Sequence, residues 1–118
     1  CIYGKDYFGG EIDKLQSRVV NKRHIKIVRV NNLKELARCQ VIFFSKSINN
    51  HLSTILSDLQ NKPILTLADN PHAFSEGIVI NMNLSNEKIV FEINLGAARK
   101  SGLDISSKLL QLAVKVHQ

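Results

Sequence analysis

Short apolar runs alternating with segments of helical periodicity decide most of what this chain can fold into. Residues 41–45 (Val41-Ile42-Phe43-Phe44-Ser45) and 63–68 (Pro63-Ile64-Leu65-Thr66-Leu67-Ala68) are nearly continuously apolar, as strands are when both faces of a sheet are covered. Cys1-Ile2-Tyr3-Gly4 reads as a strand that ends in a turn, and 24–30 as another, carrying Ile25, Ile27 and Val28. Between them the spacing predicts a helix over 11–20 with Ile12, Leu15 and Val19 on one face. A shorter helix runs through residue 38, capped by Asn31 or Asn32 with Glu35 placed as in a capping box. A third covers 49–60 with Leu52, Ile55, Leu56 and Leu59 inward. The β-α-β-α-β-α-β order implies an α/β, doubly wound fold with a mostly parallel sheet, right-handed crossovers and strand order 2-1-3-4.

The pattern then changes period. Ile78, Ile80, Met82 and Leu84 alternate with Asn81 and Asn83, and after a turn Ile89, Phe91, Ile93 and Leu95 alternate with Glu92 and Asn94. This predicts a β-hairpin with one apolar face and the polar set turned away from the core. Gly102 closes a short turn, and a final helix follows, capped by Ser106 or Ser107. Its inner stripe is Leu109, Leu112, Ala113 and Val116, which leaves Lys108, Gln111 and Lys115 outside. No linker or repeat interrupts the 118 residues, so one domain over 1–118 is expected.

Two cysteines allow one disulfide or two buried free thiols. The strand order bears on the choice. It makes the first and third strands parallel neighbours, with Cys1 in one and Cys39 just ahead of the other, within bridging range of each other. The topology therefore favours a Cys1–Cys39 disulfide and an oxidising compartment. The chain begins at Cys1 with a strand and no tether, which reads as truncation of a longer chain whose targeting signal lay upstream.

The charge is basic, with 16 Lys and Arg against 10 Asp and Glu. Half of the basic residues fall in 14–38: Lys14, Arg18, Lys22, Arg23, Lys26, Arg29, Lys34 and Arg38, opposed only by Glu35. Such a patch meets nucleic acid, an anionic membrane surface or an acidic partner, or is simply a solvated face. No nucleic-acid motif accompanies it and aromatic residues are scarce, so no specific nucleic-acid binding is expected. The apolar runs are far shorter than the ~18 residues a membrane span needs, so no direct membrane insertion is expected.

Catalytic signatures are missing. The loop after the first strand, Gly4 to Gly10, fits neither the dinucleotide nor the P-loop pattern. A receiver domain shares the strand order but needs a phosphorylatable Asp where this chain has Phe44-Ser45-Lys46. His24, His51, His72 and His117 are scattered and suggest no metal centre, and no cofactor is expected. Asp69-Asn70-Pro71 after the fourth strand reads as a turn. A ligand pocket, if the chain has one, is expected at the carboxyl edge near Asp6, Ser45 and Asp69.

The second half carries a more specific string: Val90-Phe91-Glu92-Ile93-Asn94-Leu95-Gly96-Ala97-Ala98-Arg99, then Gly102-Leu103, then Ser106-Ser107-Lys108-Leu109-Leu110-Gln111-Leu112-Ala113. With Pro63 to Asp69, Phe74 and Gly77 before it, and Cys1-x-x-Gly4, Phe8-Gly9 and Cys39 to Phe43 in the first half, this resembles the YfiR-like family of bacterial periplasmic proteins. The resemblance implies a secreted, non-catalytic α/β domain. It implies a partner in the periplasmic domain of an inner-membrane diguanylate cyclase, held inactive, or in a sensor kinase; a homodimer stays open. A small-molecule sensor domain is the alternative. Family members have an extra helical segment ahead of the first strand, and some a second disulfide, for which this chain has no cysteines. The usual Gly-Gly before the hairpin is Gly77-Ile78 here. On this reading Glu92, Asn94, Arg99, Lys108 and Gln111 are the partner-binding candidates.

Overall fold

The computed structural model describes residues 1–5, 9–17, 19–20, 22–45, 48, 52–59, 61–70, 77–85 and 88–118. Its strands are β1 (Ile2–Tyr3), β2 (Val19–Val20), β3 (Arg23–His24), β4 (Arg29–Val30), β5 (Val41–Phe44), β6 (Leu65–Ala68), β7 (Ile80–Ser85), β8 (Lys88–Asn94) and β9 (Lys115–His117). Its helices are two 3-10 segments, Gly9–Ser17 and Leu33–Arg38, and α1 (Leu52–Asp58), α2 (Leu95–Lys100) and α3 (Ser107–Leu112). Seven strands form one sheet in the order β4-β1-β5-β6-β7-β8-β9. The first four places are the expected 2-1-3-4 order, and the hairpin continues the sheet beyond β6.

The ladder from β4 to β7 is parallel. Ile2 pairs with Arg29 on one side and Phe43 on the other, Val41 pairs with Leu65, and Leu67 with Ile80. β5 carries three successive buried residues, Ile42, Phe43 and Phe44, so both of its faces are covered. On one face Ile42, Phe44, Val30 and Ala68 pack with Leu36, Leu52, Ile55 and Leu59 from the helical segments. Tyr3 meets Phe44 edge-to-face with ring centroids 6.1 Å apart. Leu65, Leu67, Val79, Ile80 and Ile93 belong to a second core with Ala98 of α2 and Leu109 and Leu110 of α3. Each large side chain that is fully buried, such as Phe44, Leu36, Ile42 or Ile93, contributes about 1.5–3 kcal/mol.

Three caps stop the helices where the sequence allows. Asn32 accepts from the Lys34 N–H at 2.9 Å, and of the two serines Ser106 is the cap, accepting from Leu109 N–H at 3.2 Å. The end of α2 is a Schellman motif: Leu103 N–H donates to the Ala98 carbonyl at 2.9 Å and Gly102 N–H to that of Arg99 at 3.0 Å. Gly102 stands at φ +74 with nothing near a would-be Cβ, so glycine is there for its backbone and not for space.

Three expectations are corrected. The helix over 11–20 is a 3-10 segment ending at Ser17, and Val19 and Val20 instead pair with His24 and Arg23 in a separate two-stranded ribbon. Leu15 and Val19, assigned to an inner stripe, are exposed. The β-branched Val19-Val20 pair favours extended backbone, and that local preference prevails over a 3.6-residue spacing with only three apolar positions. Accordingly the strand expected over 24–30 joins the main sheet only at β4. Finally, the last helix stops at Leu112, which is 70% exposed, and Val116 lies in β9, parallel to β8 with Val116 opposite Ile93. The residues Val114-Lys115-Val116-His117 alternate with period 2, which a short helical stripe concealed.

Cys1 and Cys39 are disulfide-bonded, with Cα atoms 6.1 Å apart and a sequence separation of 38. The bridge fastens β1 to the turn leading into β5, alongside the Phe43 N–H to Cys1 carbonyl bond of 2.8 Å.

Two stability tests follow from these features. Gly102→Ala should lower stability by about 1–2 kcal/mol through its positive φ, whereas Gly10→Ala, which also meets open space but has no positive φ, should be nearly neutral in a thermal melt. Alkylation of unreduced protein should find no free thiol, and reduction should remove ~3–4 kcal/mol of stability by the chain-entropy relation. Two alkylated cysteines in the native preparation would contradict the bridge.

Candidate functional site

The C-terminal half of the sheet carries polar residues that are engaged by backbone amides or by one another. Asn81, expected on an outer face, is only 1% exposed. Its Oδ1 accepts from the Asn70 N–H at 3.1 Å and holds the segment after β6 against β7. Thr66 does the same one strand over, its Oγ1 accepting from Val79 N–H at 3.0 Å. Burial of these side chains is tolerable because each has a backbone donor to satisfy it.

Glu92 is half-buried. Asn83 Nδ2 donates to its Oε2 at 3.5 Å, and His117 Nε2 of β9 lies 3.2 Å from its Oε1. The carboxylate therefore ties β7, β8 and β9 together across one face. Asn94 is the cap of α2, with its Oδ1 accepting from Ala97 N–H at 3.0 Å. Two of the five partner-binding candidates thus already hold the fold. The other three, Arg99 on α2 and Lys108 and Gln111 on α3, are exposed. Leu112 and Val114 beside them are exposed apolar residues.

The pocket candidates divide differently. Ser45 and Asp69 follow the paired Phe44 and Ala68 and so stand side by side at the carboxyl edge. Ser45 is buried, and its backbone nitrogen donates to the Tyr3 carbonyl at 2.9 Å. Asp69 Oδ1 is shut off from solvent and accepts no hydrogen bond from the described residues. Asp6, His51, His72 and Phe74 lie outside the described residues. Among the described residues no group of three or more His, Cys, Asp or Glu side chains is placed to hold a metal ion.

A cavity of about 530 Å3 lies at the opposite, amino edge of the parallel strands, between α1 and α2. Ser53 and Ser57 line it from α1, Thr66 from β6, Asn94 and Lys100 from the α2 side, and Gln118 closes it. The cavity depends on how two helices far apart in sequence approach each other, so spacing alone did not reveal it. Its one local signal is Gly96, where a Cβ would stand 2.9 Å from the Gln118 carbonyl oxygen.

Glu92→Lys should therefore destabilise the chain by about 1–2 kcal/mol, because it removes a shared acceptor and leaves Asn83 and His117 without it. Lys108→Glu should fall within ~0.5 kcal/mol. Equal melting temperatures for the two variants would show that Glu92 carries no such tie.

No curated protein matches the chain in a sequence comparison. A family model described as YfiR/HmsC-like matches residues 1–114, nearly the whole length. The family is one of periplasmic regulators of diguanylate cyclases rather than of catalysts, and among the described residues no helix is long and apolar enough to cross a membrane. The parallel sheet, the added hairpin and the match across its length make this chain a member of the YfiR/HmsC-like family.

Proposed function

We propose that the chain is a non-enzymatic periplasmic regulator that binds the sensor region of an inner-membrane diguanylate cyclase and represses it, thereby tuning cyclic-di-GMP signalling. The family match over 1–114 carries this reading. A disulfide between Cys1 and Cys39 agrees with it, since such bridges persist in oxidising compartments. The contact surface is Arg99, Lys108 and Gln111, flanked by the apolar Leu112 and Val114. These side chains are exposed, whereas Glu92 and Asn94 are engaged in the fold. Exposed cations and exposed apolar side chains together suit a partner that offers acidic and apolar residues.

A second reading is a small-molecule sensor domain of a membrane signalling protein such as a histidine kinase, and the cavity between α1 and α2 favours it. One set of measurements separates the two. On the regulator reading, the chain co-purifies with the periplasmic region of the diguanylate cyclase from its own organism, and cellular cyclic-di-GMP rises when the chain is deleted. Arg99→Glu with Lys108→Glu should weaken that complex at least tenfold at an unchanged melting temperature, because charge reversal places repulsion at the contact. Absence of a complex, together with a melting temperature raised by a small ligand, would instead support the sensor reading.

A further inference from the structure

The crossover from β1 to β4 departs most from expectation, and it also holds most of the charge. Residues 13–29 fold back on themselves as an arm closed by three links. The Arg29 guanidinium donates to both carboxylate oxygens of Asp13, at 3.0 and 3.2 Å. Gln16 Oε1 accepts from the Ile27 N–H at 3.2 Å. At the far end β2 pairs antiparallel with β3, Val20 opposite Arg23, and the turn runs through Lys22 at φ 67. Six basic residues in this stretch (Lys14, Arg18, Lys22, Arg23, Lys26 and Arg29) oppose the single acid Asp13, so the arm accounts for five of the chain's net +6. Arg18 itself lies outside the described residues.

Two further observations stand beside the charge. Leu15 and Val19 are 40% and 53% exposed on the same arm as the exposed Lys22, Arg23 and Lys26. The stretch 13–29 contains no aromatic residue. Protein interfaces are depleted in lysine and enriched in aromatic anchors, which the arm lacks. Lysines and arginines interleaved with aliphatic side chains instead match a lipid headgroup layer, where the stems lie along apolar surface and the charged heads meet phosphate.

We propose that this arm is a peripheral docking surface for an anionic phospholipid bilayer. Adsorption is at headgroup depth, with Leu15 and Val19 reaching the boundary of the acyl region. Each basic residue close to such a surface raises the partition about fivefold, and the attraction fades within a Debye length. The proposal stands apart from the identity of any protein partner.

The test is co-sedimentation of the purified chain with vesicles of phosphatidylcholine alone and of phosphatidylcholine with phosphatidylglycerol. The chain should sediment with the mixed vesicles only, and high salt should release it. Lys22→Glu with Lys26→Glu should lower the partition more than tenfold, and Val19→Ser should lower it less. Lys22→Gln with Lys26→Gln gives an intermediate loss and serves as the second variant, with thermal melts confirming that each is folded. Equal binding to both vesicle types, no binding at low salt, or full binding by the charge-reversed chain would overturn the proposal. Binding to soluble polyglutamate without binding to vesicles would also overturn it and assign the arm to an acidic protein.

Discussion

Everything in this fold is arranged around the demand of β5 to be covered on both sides. Ile42 and Phe44 face one way and Phe43 the other, and all three are buried. A strand of that kind suits the interior of the sheet, and β1 lies on one side of it and β6 on the other. Because β1 and β5 are parallel neighbours, Cys1 and the residue just ahead of β5 come within bridging distance, and the disulfide fixes the register that Phe43 N–H and Cys1 carbonyl already define. The helical segments then have little freedom. Leu36, Leu52, Ile55 and Leu59 close one face, and α2 and α3 close the second core over the hairpin.

That central demand was legible in the sequence because a continuous apolar run needs no context to interpret. The same holds for Asn32 and Ser106, whose capping chemistry is local, and for the cysteine pair once the strand order is granted. Legibility failed where two periods fit one short segment. Leu109 and Val116 belong to a helical stripe by spacing, yet Val114 to His117 also alternate, and a vacant position beside β8 made the strand the better solution. At 11–20 three apolar positions were too few to hold a helix, and the valines found strand partners in Arg23 and His24.

The candidate site was legible in kind but not in state. Alternation told which residues share a face of the hairpin. It did not tell whether that face is covered, because coverage comes from elsewhere in the chain. Asn81 is sealed by the segment at Asn70, Glu92 is half-buried and tied to β9, which was expected as helix, and Asn94 caps the first turn of α2. Sequence polarity at these positions marks internal hydrogen bonding, and Glu92 and Asn94 stay partly exposed beside it. Exposure was easier to read for charged residues on helices, such as Arg99 and Lys108, since burying an unpaired cation costs far more than burying an amide with a backbone donor.

The result is a division of labour between polar groups that hold the sheet and cations left at its two ends. The sheet order puts the basic arm beside β4 and the α3–β9 surface at the other extreme, six strands away. At about 4.8 Å per strand spacing, these ends stand roughly the full width of the molecule apart, in keeping with extents of 31 × 30 × 29 Å. A chain lying on lipid by its arm therefore keeps Arg99, Lys108 and Gln111 free to meet a protein anchored in the same bilayer. The separation also exceeds the ~8 Å over which charges influence one another at physiological ionic strength. Neutralising one end leaves the other attractive, so the two contacts need not compete.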